Sequence, residues 1–182
     1  MRDPILSLLK AIDGERSGVA IVWCPDIGTR AWLVDRVESL VTESARPIRT
    51  ASVEQAISEH NRLVLLIPTD ERSTVLDMDG QRDRLLDEEA PRTYPVVLFL
   101  TRDGDGQRAL AEEAPSLASW VRGNDTDPEE LAEIDVDEER AKFTNEHGKS
   151  PEAWLEAWRA GVISRTPRHF SAAFWAMLLE GS

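Results

Sequence analysis

The sequence predicts an α/β protein: a three-layer, mostly parallel sheet with flanking helices, plus a small C-terminal helical appendage. Three observations carry that prediction. The segments Val19–Trp23, Leu63–Ile67 and Pro95–Leu100 are continuous apolar runs, the pattern of strands covered on both faces. Stretches of helical periodicity separate them, which implies right-handed β-α-β crossovers. Gly, Pro, Asn, Asp and Ser mark the turns between the runs.

Taken in order, Ile5, Leu8, Leu9 and Ile12 recur at helical spacing behind Asp3, predicting a helix over Pro4–Ile12. The first core strand follows at Val19–Trp23. A helix over Thr29–Thr42 is expected to bury Trp32, Leu33, Val37, Leu40 and Val41, with Arg30, Asp35, Arg36, Glu38 and Glu43 turned outward. Pro47–Ala51 reads as a short strand. Ser52, with Glu54 close behind, opens a helix to about His60. After Leu63–Ile67 a helix is expected over Asp79–Glu89, burying Leu85 and Leu86. Beyond the strand Pro95–Leu100, the turn Asp103-Gly104-Asp105-Gly106 leads to a helix over Gln107–Ala114.

From Asn124 to Arg140 the chain changes character: Asp125, Asp127, Glu129, Glu130, Glu133, Asp135, Asp137, Glu138 and Glu139 stand against Arg140 alone. Such a run is either a solvated linker with a short helix or an interaction surface. Two helices close the chain. Ser150-Pro151-Glu152 supplies cap, N1 proline and first-turn acid for one that ends at Gly161, and Thr166-Pro167 opens the other. Trp154, Leu155 and Trp158 share a face of the first; Phe170, Phe174, Met177 and Leu178 share a face of the second. The expected organisation is therefore a Rossmann-like or P-loop-like domain over 1–123, an acidic linker or short helix over 124–149, and a two-helix appendage over 150–182.

At 182 residues with 41% apolar content and six Trp, the chain has enough apolar surface for a folded core. A formal charge of -13 repels nucleic-acid phosphate, so the expected partner is another protein with a basic surface, with no direct nucleic-acid contact. Met1-Arg2-Asp3-Pro4-Ile5 shows no leader pattern, and no apolar run approaches the roughly 18 residues of a membrane span. With Cys24 the only cysteine, the expectation is a cytoplasmic protein without an internal disulfide. Cys24, His60, His147 and His169 lack the spacing of a zinc site.

The chemistry-bearing candidates cluster after the first core strand. Cys24-Pro25-Asp26-Ile27-Gly28-Thr29-Arg30 occupies the strand-to-helix turn where α/β proteins cradle phosphate on backbone N–H groups and a helix N-terminus. A P-loop reads G-x-x-x-x-G-K-[ST]; here Gly28 precedes Thr29 with no Lys in the loop. Any nucleotide contact would fall to Gly28, Thr29 and Arg30, and no cofactor is expected. Cys24 would need a histidine base to act as a nucleophile; at a strand end it reads as a small buried hydrophobe. The same loop is similar in placement to that of the haloacid-dehalogenase phosphatases. Cys24 stands where their first aspartate belongs, which leaves phosphoaspartate chemistry without its carboxylate. Asp77-Met78-Asp79-Gly80 and Asp103-Gly104-Asp105-Gly106 begin like calcium loops, but position twelve counted from Asp103 is Ala114. Asp70 and Glu71 follow the third core strand and are expected to cap the next segment or face water.

Gln81-Arg82-Asp83-Arg84-Leu85-Leu86, Tyr94–Leu100 and Ala114-Pro115-Ser116-Leu117-Ala118-Ser119-Trp120-Val121-Arg122 resemble the end of the ATPase-like domains of bacterial NLR-like (STAND) signalling and defence proteins, which often precede tetratricopeptide repeats. Ser116 replaces an acid of that pattern. The resemblance implies a non-hydrolysing sensor or adaptor of a bacterial defence or signalling system. In physical terms, Pro115 starts a short turn, with Leu117 and Trp120 spaced to pack on the sheet. The favoured expectation is a non-catalytic adaptor that binds protein through Asp135, Asp137, Glu138, Glu139, Trp154 and Trp158. The alternatives are a nucleotide-binding switch or enzyme with an atypical phosphate loop, and an acidic antagonist of a DNA-binding or sigma-type protein.

Overall fold

Apolar runs with no polar face can only be satisfied by burial on both sides, and the computed structural model arranges them that way. It describes residues 2–3, 18–85, 92–121, 125–127, 134–164 and 167–180. Strand β1 (Arg2–Asp3) precedes β2 (Val19–Cys24), helix α1 (Ile27–Ala45), β3 (Ile48–Thr50), α2 (Val53–Ser58) and β4 (Val64–Leu66). Then come α3 (Glu71–Gly80), α4 (Arg82–Leu85), β5 (Val96–Thr101), α5 (Asp105–Glu112), α6 (Pro115–Trp120) and β6 (Asp125–Thr126). The chain closes with β7 (Ile134–Asp135), α7 (Val136–His147), α8 (Pro151–Arg159) and α9 (Pro167–Glu180).

The main sheet runs in the order β3-β4-β5-β2-β6, and all of its pairings are parallel. The α/β class with a parallel sheet between helices is therefore as the sequence predicts. Val19 to Cys24 pair residue for residue with Val96 to Thr101 at the centre. Alternate side chains enter opposite layers. On one face Val22, Cys24, Leu65, Val97 and Phe99 share a core with Leu33, Val34, Val37 and Val41 of α1 and with Phe143, Trp154, Leu155 and Trp158 of α7 and α8. Ile21, Val64, Leu66, Leu98 and Leu100 enter the other core, with Val53 and Ile57 of α2, Val75 and Met78 of α3, and Ala109 and Leu117 of α5 and α6.

Several elements differ from expectation. The predicted helix over Pro4–Ile12 lies outside the described residues. Helix α1 begins two residues early because Asp26, not a later residue, caps it: its side chain accepts the Thr29 N–H at 2.8 Å. Trp32, placed on the buried face from its hydrophobicity, is 55% exposed. Leu33, Val37 and Val41 of the predicted face are buried and Leu40 is partly so; Val34 joins them, and Arg30 stands one turn before Val34 at the head of the stripe. Helix α3 over Glu71–Gly80 is absent from the predicted elements; Asp70 caps it by accepting the Ser73 N–H, one of the two roles expected of it, and Thr74, Val75 and Met78 are its buried face. Of the helix expected over Asp79–Glu89, the structure describes only α4 as a separate short helix; 86–91 lie outside the described residues.

The Pro115 segment is a short helix, not a turn. Within the acidic stretch, Asp125–Thr126 adds a parallel strand to β2 and Ile134–Asp135 pairs antiparallel with β1. Helix α7 then starts at Val136, with Asp135 as its cap. The small C-terminal helical appendage is present as the sequence predicts: α8 and α9 pack on each other and α9 packs on α1, so these helices close one layer of the same sheet. Ser150 and Pro151 open α8 as predicted, the Ser150 hydroxyl accepting the Ala153 N–H at 3.3 Å. The side chains of Phe170, Phe174 and Leu178 lie outside those described. Among the described residues no helix is long and apolar enough to cross a membrane.

Candidate functional site at the carboxyl edge of the sheet

In an open parallel sheet, ligands bind beyond the carboxyl ends of the strands, where neighbouring strands send their connections to opposite faces. Here those neighbours are β2 and β5. Helix α1 carries the chain from β2 along one face to β3, whereas α5 and α6 carry it from β5 along the other face to β6. The two loops at this point touch directly: the Arg102 N–H donates to the Cys24 carbonyl at 2.7 Å.

Only Pro25 and Asp26 separate β2 from α1. Proline has no N–H to offer. The Asp26 carboxylate takes the Thr29 N–H at 2.8 Å and the Thr29 hydroxyl at 2.9 Å. These donors, the Thr29 backbone N–H foremost, hold the Asp26 carboxyl below its ordinary range, so an anion of the chain itself sits at the positive end of α1. Of the expected nucleotide contacts, Thr29 is thus occupied by Asp26, and a Cβ at Gly28 would meet the Asp26 Oδ1 at 3.1 Å.

Arg30, the third, turns inward. Its Nη1 donates to Glu71 Oε1 at 2.8 Å, and each side chain is only 12% exposed. The Glu71 carboxylate also accepts the Thr101 N–H at 3.0 Å and the Thr101 hydroxyl at 2.9 Å. One carboxylate from α3 therefore ties the first turn of α1 to the end of β5, across the switch point. Glu71, expected to cap or face water, does neither. The β5–α5 turn closes tightly over the group: a Cβ on Gly104 would collide with the Thr101 Oγ1, and one on Gly106 would lie 2.9 Å from the Glu71 Cβ. Beside it, Arg102 pairs with Asp127.

The other candidates distribute as follows. Cys24 is fully buried, and burial, opposed by the nearby Arg30 charge, pushes its thiol up to about 12; a thiol so held is a hydrophobe and a poor nucleophile. Asp77 and Asp79 lie within α3, where Asp79 accepts the Leu117 N–H at 2.6 Å, and Asp105 begins α5. Among the described residues no three His, Cys, Asp or Glu converge in a way that could hold a metal ion. Of the residues expected to contact a partner, Asp137 and Glu138 are exposed on α7, and Asp135 accepts N–H groups from both. Glu139 is buried with Lys142 as its ion-pair partner. Trp154 and Trp158 lie in the core, not at the surface, because α8 turns its apolar face toward the sheet layer.

The sequence reading missed Glu71 and Thr101 as members of one group. The signal was present in Arg30: a charged residue heading the apolar stripe Val34, Val37 and Val41 must find a buried counter-charge. No protein-family model matches the chain, and neither does any curated protein or solved structure.

Proposed function

We propose that this protein acts by binding another protein, as a non-catalytic adaptor or regulatory module. The observation that carries the reading is the occupied switch point. At the place where α/β folds bind ligands, the Arg30–Glu71–Thr101 group fills the space between α1, α3 and β5, and Asp26 neutralises the helix end that would attract phosphate. A triphosphate entering here would meet the Asp26 and Glu71 carboxylates and would have to displace a nearly buried ion pair, both unfavourable. The resemblance of the segment Ala114–Arg122 to bacterial NLR-like signalling domains supports an adaptor of a defence or signalling system.

Calorimetry of the full chain with ATP or GTP and magnesium tests the reading. The expected result is no saturable heat. Micromolar, magnesium-dependent binding abolished by Arg30→Met overturns the proposal in favour of a nucleotide switch.

A further inference from the structure

We draw no further inference here: the strongest candidate, the outer face of the first turns of α1 with Ile27 and Trp32 exposed on it, is an unpartnered apolar surface and nothing in the structure shows what covers it.

Discussion

Replacing Glu71 by Ala tests the group at the switch point most directly. The substitution removes three partners at once: the Arg30 guanidinium at 2.8 Å, the Thr101 N–H at 3.0 Å and the Thr101 hydroxyl at 2.9 Å. Breaking a buried pair from one side costs about 3–5 kcal/mol, because the remaining charge stays desolvated. The 12% exposure of each side chain gives Arg30 some access to water, which places the expected loss at the lower end, about 3 kcal/mol. Arg30→Met is milder, about 1–2 kcal/mol, since the carboxylate keeps both Thr101 donors. In the double variant Arg30→Met with Glu71→Ala no charge is stranded, so the losses fall short of additivity by about 1–2 kcal/mol. Urea denaturation at neutral pH, followed by tryptophan fluorescence, reads all three from midpoints at constant slope. A Glu71→Ala loss below about 1 kcal/mol, or strict additivity in the cycle, would refute the argument that one carboxylate holds the three elements together.

Three further outcomes follow from the same geometry. Gly106→Ala places a methyl 2.9 Å from the Glu71 Cβ and 3.0 Å from the Leu100 Cδ2, so a loss of about 1–3 kcal/mol is expected in thermal or urea unfolding. Cys24, with its thiol pushed up to about 12, is expected to resist a disulfide reagent at mildly alkaline pH in the native state and to react at once in denaturant; fast native labelling would contradict its burial. Asp26 is held below its ordinary 3.8 by Thr29. Its contribution is therefore complete above that value and lost as pH falls through the lower folded value. Asp26→Asn, which keeps the cap without the titrating charge, is expected to flatten the acid limb of the stability curve below about pH 4.

The layered architecture was legible because β2, β4 and β5 are buried on both faces and so carry runs that no other element tolerates. Element ends were read less well where a cap outweighed the apolar pattern, as at Asp26 and Asp70. Helix α3 escaped notice because Glu71–Gly80 buries only Thr74, Val75 and Met78, too few to register as a stripe, while Asp77-Met78-Asp79-Gly80 begins like a calcium loop. Trp32 and Trp158 show the limit of hydrophobicity as a guide: one is exposed and the other is in the core. The difference is set by which arc of each helix faces the sheet. The candidate site was the least legible part. Arg30, Glu71 and Thr101 are brought together by the β2–β5 crossing, and that long-range pairing has no local pattern.

The buried ion pair and the exposed Trp32 are two consequences of one arrangement on α1. Successive helical residues are separated by about 100°, so a helix whose Arg30, Val34, Val37 and Val41 point into the sheet must turn Ala31 and Trp32 away from it. Evolving a phosphate site here would require freeing the helix end from Asp26 and releasing Arg30 from Glu71, at the expense of the contacts that join α1, α3 and β5. Arg30→Met and Glu71→Ala are therefore expected to lower the unfolding midpoint, whereas Trp32→Ser leaves it within about 0.5 kcal/mol of the parent. If Trp32→Ser destabilised the fold as much as Glu71→Ala, the outer arc of α1 would be part of the core.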